Sequence, residues 1–348
     1  MSKHLFFLPA ILSASMALAD DTTLNDRLQA AHEAGKLDGL HAVLVRRDGE
    51  TLAELYFDGA DERWGQPLGL RQHGPDTLHD LRSVSKSVTG LLYGIALDKG
   101  LVAGPDAPLL AQFPDYPDLA GSARNRITIG DALAMQMGTE WDETLPYSDP
   151  RNSEIAMELA PDRYRYVLEQ PIIADPGSNW SYSGGATALI GALIARGAGM
   201  PLDRFAKLNL FDPLGIDGFE WVAGADGVPS AASGLRLTAR DLARIGEMIA
   251  AGGTHAGKRI VSRDWLARMA TPRAAPAPLR YGYHWWLSPV GDPPNWLAGF
   301  GNGGQRMSIS PRLGLVVVVY AGRYNDPQAW QLPVAVINDH IAPALGLR

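Results

Sequence analysis

Ser83-Val84-Ser85-Lys86 opens a run that keeps a helical pattern as far as Lys99 and stops at Gly100. Val84, Val88, Leu91, Leu92 and Ile95 fall at i, i+4, i+7, i+8 and i+11, the spacing of one helical face, and the glycine supplies a C-terminal stop. Ser83 and Lys86 sit three residues apart on the same face, about 5–6 Å apart at Cβ, so the lysine amine can reach the serine hydroxyl. The helix N-terminus adds free N–H groups and a partial positive charge beside that serine. Of the six lysines in the chain, only Lys86 has a serine three positions before it. It also stands on a helix whose following turns, Val88 to Ala96, are almost wholly apolar. The bland alternative is a capped helix with a snorkelling lysine.

Two segments further along add weight to the chemical reading. In Pro176-Gly177-Ser178-Asn179-Trp180-Ser181-Tyr182-Ser183-Gly184-Gly185, a turn carries a tyrosine just before a long apolar helix over Gly185–Arg196. In Gly301-Asn302-Gly303-Gly304-Gln305, a glycine-rich edge leads into the strand Arg306–Ser310, and glycines at such an edge allow close approach to the backbone.

Around these motifs the chain is β-rich at both ends. Thr23–Lys36 reads as a short amphipathic helix. His41–Arg47 and Thr51–Phe57 are strands joined through Asp48-Gly49, both of which tolerate positive φ. The middle, about 101–235, holds short helices punctuated by proline and glycine, with Thr128 placed to cap Ile129–Gln136 and Asp162–Glu169 between two prolines. Thr238-Ala239-Arg240-Asp241 resembles a capping box opening the helix 241–251. Strands are expected at Tyr281–Leu287, Trp296–Phe300, Gln305–Ser310 and Leu315–Tyr320, and a last helix over Gln328–Ile341. Strands at both ends with helices between them predict an α+β fold. One antiparallel sheet is built from the N- and C-terminal segments and flanked by helices, and an inserted all-helical part forms a cleft wall. Residues 20–348 then make one domain, with 20–100 and 236–348 as its α/β part and 101–235 as its helical part.

Composition excludes several functions. The 348 residues are 46% hydrophobic and 20% charged, enough apolar material for a real core. A net charge of −7 without a basic run argues against nucleic-acid binding. With no cysteine, disulfides, thiolate nucleophiles and Cys-ligated metals are all excluded. No Gly-x-Ser-x-Gly elbow and no His-Glu-x-x-His occurs, and the eight histidines show no metal-ligand spacing, so neither metal nor organic cofactor is expected. Gly252…Gly257-Lys258-Arg259 falls one residue short of a P-loop, with Arg259 where Ser or Thr belongs, and reads as a surface turn. The GxGxxG template fails at Arg306.

At the N-terminus, Lys3 and His4 precede the apolar stretch Leu5–Leu18, and Ala17-Leu18-Ala19 has a small-x-small pattern. That reads as a cleaved signal peptide over residues 1–19, since a spanning helix needs ~20 apolar residues. A mature chain starting at Asp20 would be periplasmic or secreted, with no membrane insertion after cleavage.

Taken together, Ser83–Gly100, Ile127–Glu143, Pro176–Gly191, Phe211–Gly215, Gly234–Gly253, Tyr281–Trp286 and Gly299–Tyr320 resemble, in order, the penicillin-recognising serine hydrolases: class C β-lactamases, D,D-carboxypeptidases and the related esterases and nylon-oligomer hydrolases. The resemblance implies Ser83 as the acylated nucleophile, Lys86 as its base and Tyr182 as the second proton-transfer residue. Backbone N–H groups of Ser83 and Gln305 would form the oxyanion hole. Asn302, Gly303 and Gly304 would be the third motif, and with Arg306, Trp141 and Trp285 they would contact a small-molecule, short-peptide or ester substrate. Trp180, Tyr281, Tyr283 and Trp286 lie in the same segments, and His284 reads as structural. For Lys86 to act as base its pKa must fall, and burial would push it that way.

Two departures bear on substrate. The Tyr-x-Asn of the antibiotic-handling members is Tyr182-Ser183-Gly184, and Asn302 replaces the usual Lys or His of the third motif. Arg306 shares the strand parity of Asn302 and could replace part of that charge. Ser148-Asp149-Pro150 is a rival for the second motif, but proline offers no amide, so Tyr182 is preferred. The reading is therefore an amide- or ester-cleaving serine hydrolase rather than an efficient β-lactamase. The alternatives are a β-lactamase or D,D-peptidase, and a non-catalytic binding module.

Overall fold

The computed structural model describes residues 23–347, so the expected signal peptide and the Asp20 start lie outside the described residues. The N-terminal segment supplies helix α1 (Leu24–Glu33), strands β1 (Leu40–Arg47), β2 (Glu50–Tyr56), β3 (Gly59–Arg63), β4 (Gln66–Arg71) and β5 (His79–Asp80), and helix α2 (Val84–Asp98). The helical middle follows with α3 (Ile129–Leu133), α4 (Ser153–Leu159), α5 (Arg163–Leu168) and α6 (Gly184–Ala198). Short strands β6 (Glu220–Trp221), β7 (Leu235–Leu237), β8 (Thr254–His255) and β9 (Lys258–Arg259) lead into β10 (Arg280–Tyr281), β11 (Trp286–Leu287), β12 (Leu297–Gly301), β13 (Gln305–Ser310) and β14 (Leu315–Ala321).

Seven strands form one antiparallel sheet in the order β10-β11-β12-β13-β14-β1-β2, joining both ends of the chain as expected. Both faces of this sheet are covered. Ala42 and Leu44 of β1, with Val316, Val318 and Tyr320 of β14, face the core that holds α2 and α6. Val43 and Val45, with Val317, Val319 and Ala321, face a second core with Leu28 of α1 and Val336 of the C-terminal helical segment. Side chains alternate between the faces of a strand, so a strand buried on both sides must be apolar at every position. That accounts for the unbroken run Leu315–Ala321.

The Asp48-Gly49 turn has φ of 50° and 86°, as a tight hairpin requires. Thr23 and Thr128 close capping boxes with Asp26 and Asp131, and Thr238 caps the helix Ala239–Ala250. Lys258-Arg259 lies in the small β8–β9 hairpin, a surface turn as read.

Two stretches differ from expectation. Tyr281–Leu287 is not one strand but β10 and β11 paired with each other, Tyr281 opposite Trp286. His284 turns the chain with φ 60°, and its backbone N–H and Nδ1 both donate to the Leu133 carbonyl, at 2.8 and 2.9 Å. Ser87 Oγ donates to the His284 carbonyl at 2.8 Å, so the reversal is pinned to α2. The β3–β4 hairpin was not anticipated. Its two strands, GADER and QPLGLR, lack the apolar–polar alternation that marks a half-buried strand.

Candidate active site

Helix α2 is buried on all sides from Val84 to Ala96, and Ser83 is its N-cap. The Ser83 side chain makes no capping hydrogen bond, which leaves Oγ free for chemistry. Arg82, immediately before it, has φ 48°, a left-handed conformation that costs a non-glycine residue ~1–3 kcal/mol. The conformation is held by clamping its guanidinium between Glu62 (2.7 Å) and Asp80 (3.1 Å). Ser83 opens onto a cavity of about 310 Å³ lined also by Trp64, Tyr147, Glu154, Leu159 and Asn302.

Lys86 is fully buried, and each of its three N–H donors has a partner. Nζ lies 3.0 Å from Ser83 Oγ, 2.9 Å from Glu154 Oε2 and 3.3 Å from the Ala232 carbonyl. It also stands 5.0 Å from the centre of the Tyr182 ring. Burial pushes the Lys86 pKa down, but Glu154, together with Tyr182 and Glu143, outweighs it and drives the value well above the ordinary one. This corrects the expectation that its pKa falls: Lys86 is held as an ammonium. Tyr182 is raised by burial, pulled back by the Lys86 charge and by a hydrogen bond with Ser83, and stays above its ordinary value. Ser83, Lys86 and Tyr182 are thus brought together as the sequence implied.

Glu154, on the first turn of α4, is the functional residue that sequence reasoning missed. Only the folding of the helical middle brings it to Lys86, 68 residues away. The signal for it is Gly184: a Cβ there would fall inside the Glu154 carboxylate, so the glycine makes room for the acid. A second acid, Glu143, accepts from Trp141 Nε1 at 2.6 Å, from the Gly184 N–H, and from Tyr147 Oη at 2.9 Å. Burial and the nearby Glu154 charge raise its pKa to about 7, although Lys86 opposes them.

Of the expected substrate contacts, Asn302 alone lines the cavity. Its side chain is tied to Asn325, donating through Nδ2 at 2.9 Å and accepting from the Asn325 N–H at 2.8 Å. Gly303 and Gly304, with φ of 92° and 96°, turn the chain from β12 into β13 and do not reach the cavity. Gln305 pairs with Gly301 in the sheet, and its side chain bonds the backbone of Ala321, so only its backbone is left to serve the site. Trp141 is buried and positions Glu143. Trp285 is fully buried in the core and touches no cavity, because the β10–β11 reversal turns it inward and its neighbour Trp286 outward. Trp286 stacks at 6.0 Å on Tyr182 and at 5.3 Å on Phe300. Arg306 lies over Phe300, 4.1 Å from its centre. Burial lowers its pKa to about 10. The site therefore joins a buried Ser–Lys–Tyr group, a carboxylate on the lysine, and an aromatic row leading from the tyrosine to an arginine.

Residues 24–336 match the family model described as Beta-lactamase. The chain belongs to that family. It is similar to the 6-aminohexanoate-dimer hydrolase of Paenarthrobacter ureafaciens, 27% identical over 80% of this chain and 71% of that protein. Among solved structures, a putative 6-aminohexanoate-dimer hydrolase from Bacillus anthracis superposes with a TM-score of 0.75 at 18% identity, covering 92% of this chain and 82% of that one. A hydrolase with promiscuous acyltransferase activity gives 0.71 at 18% identity over 90% and 98%. These likenesses establish the α+β fold, and family membership makes the protein a serine hydrolase.

Proposed function

We propose that the protein is an exported hydrolase that cleaves a linear amide or ester bond through an acyl-enzyme on Ser83. The observation that carries this reading is the contact of Lys86 Nζ with Ser83 Oγ at 3.0 Å, with the Tyr182 ring 5.0 Å from the same Nζ. Lys86, kept charged by Glu154, supplies positive charge rather than taking the proton. The Tyr182 phenolate accepts the Ser83 proton as Oγ attacks the carbonyl carbon, and the C–O or C–N bond then breaks with Tyr182 returning the proton to the leaving group. Water repeats the sequence to release the acid. The Ser83 N–H at the head of α2 donates to the tetrahedral oxyanion. The second donor is the Gln305 N–H, beside the Leu81–Arg82 turn that leads into Ser83.

Arg82, the cation lining the cavity, is already paired with Glu62 and Asp80, and Lys86 is paired with Glu154. Neither is free to receive the carboxylate of a β-lactam. A similar protein named for 6-aminohexanoate-dimer hydrolysis supports a linear amide. A panel of p-nitrophenyl esters of rising chain length, linear amide oligomers, D-alanyl peptides and a chromogenic cephalosporin tests the reading. The esters or linear amides are expected to be turned over fastest, and a cephalosporin or D-alanyl peptide ahead of both would contradict it.

Export rests on Leu5–Leu18 and Ala17-Leu18-Ala19. N-terminal sequencing of protein made in a Gram-negative host is expected to start at Asp20, and Met1 or Ser2 on the active soluble protein would contradict export.

A further inference from the structure

The search for metal-ligand spacing in the sequence missed a cluster that the fold assembles. His41 of β1, His79 of β5 and His73 of the loop between β4 and β5 each bring a ring nitrogen within 4.8 Å of the others. His41 Nδ1 lies 2.9 Å from His79 Nε2, and the His41 and His73 rings stack at 4.2 Å. Asp61 Oδ1 of β3 stands 3.5 Å from the same His79 Nε2. His79 Nδ1 donates to the Asp80 carbonyl at 3.1 Å, which leaves Nε2 as the lone-pair nitrogen facing the cluster. Tyr324 Oη donates to Asp61 Oδ1 at 2.9 Å and orients the carboxylate.

Two further facts point to a ligand. His73 Nε2 is buried and has no hydrogen-bond partner among the described residues, an expense that a buried polar atom rarely carries without cause. Gly59 and Gly322 both leave room where a Cβ would strike the His41 ring, so the backbone is shaped around that imidazole.

We propose that His41, His73, His79 and Asp61 form a structural site for a borderline divalent transition cation, Zn²⁺ by the chemistry of three imidazoles and one carboxylate. The ion takes the place of the proton between His41 Nδ1 and His79 Nε2, and that proton, the only one on the neutral His41 ring, moves to His41 Nε2. Tetrahedral Zn–N bonds of about 2.0–2.1 Å put ligand nitrogens about 3.4 Å apart. The His41–His79 pair has only to widen slightly, while His73 closes inward on its loop. The hydrogen bonds from His79 to Asp80 and from Tyr324 to Asp61 are the outer shell that such sites use to fix their ligands. Bound there, the ion ties β1, β3 and β5 together and steadies the β3–β4 hairpin, whose tip residue Trp64 lines the cavity beside Ser83.

The test uses the untagged full chain, stripped with chelator and titrated with Co²⁺. One equivalent is expected to give the visible d–d absorption of a tetrahedral site, and Zn²⁺ to abolish that absorption. Zn²⁺, but not Mg²⁺, is expected to raise Tm. His73→Ala removes the ligand with the fewest structural contacts and is expected to weaken Co²⁺ binding at least ~100-fold with an unchanged circular dichroism spectrum. Asp61→Asn, a near-isosteric change, is expected to weaken it as well, while the distant His255→Ala leaves it intact. Absence of a stoichiometric tetrahedral Co²⁺ band, or binding unaltered by both His73→Ala and Asp61→Asn, would overturn the proposal.

Discussion

The carboxylate of Glu154 occupies the space that a side chain at Gly184 would fill, and from there it holds Lys86 at 2.9 Å. The relation explains a departure that the sequence shows without its reason. Gly184, two residues after Tyr182, leaves the room through which an acid from another helix contacts the lysine. Gly184→Asn is therefore expected to cost at least ~1–3 kcal/mol through overpacking and to suppress turnover. Adding Glu154→Ala is expected to recover at least ~tenfold of the lost kcat/KM, since the asparagine then has both room and a lysine to contact. Denaturant melts and kcat/KM for the two single variants and the double variant measure the coupling.

Proton transfer through Tyr182 has a signature in pH. Its pKa lies above the ordinary value, so the phenolate fraction grows as pH rises through the neutral and mildly alkaline range. The kcat/KM of the wild type is expected to climb steadily from pH 7 to 9 without a plateau. Tyr182→Phe is expected to lose at least ~10² in kcat and to flatten that climb, as removal of a general acid–base does. A profile already level at pH 7 would assign the proton to another group.

Stability at acid pH is expected to carry a contribution from His284. Burial depresses its pKa to about 3, with the Lys86 charge adding to the effect against an opposing backbone hydrogen bond. The unfolded chain takes up this proton near pH 6.5, whereas the folded chain resists until about pH 3. Folding stability from this group is therefore complete above pH 6.5 and declines as pH falls, by about 1.4 kcal/mol per unit. Thermal melts from pH 7 to 4 are expected to show a shallower decline for His284→Asn, a residue that tolerates the positive φ.

Trp285 and Trp286 are neighbours with opposite consequences. Trp285→Ala empties a fully buried site and is expected to cost ~3–5 kcal/mol, with little change in kcat for the fraction that folds. Trp286→Ala removes the ring stacked on Tyr182 and is expected to raise KM with a much smaller loss of stability. Denaturant melts alongside Michaelis kinetics separate the two.

Much of this was open to reading in the sequence because the physics involved is local. Helical spacing placed Ser83 and Lys86 together, the Asp48-Gly49 turn set the β1–β2 hairpin, and threonine caps marked two helix starts. What stayed hidden depends on the path of the chain. Glu154 approaches Lys86 from 68 residues away, and its only trace is a glycine. The Trp285/Trp286 choice was lost because the αL turn at His284 breaks the strand, and parity counted through it fails. The expected fall of the Lys86 pKa considered burial alone, and Glu154 with the neighbouring Tyr182 and Glu143 reversed the sign. The His41, His73 and His79 cluster has no sequence spacing at all, since three separate β segments and loops must meet to form it.

The central claim is acylation of Ser83, and the most direct measurement is intact-mass spectrometry after exposure to a fluorophosphonate, followed by peptide mapping. A single adduct on Ser83 is expected, absent from Ser83→Ala, which should keep its fold while losing at least ~10³ in kcat. An adduct on another residue, or Ser83→Ala turning over substrate at the wild-type rate, would contradict the account.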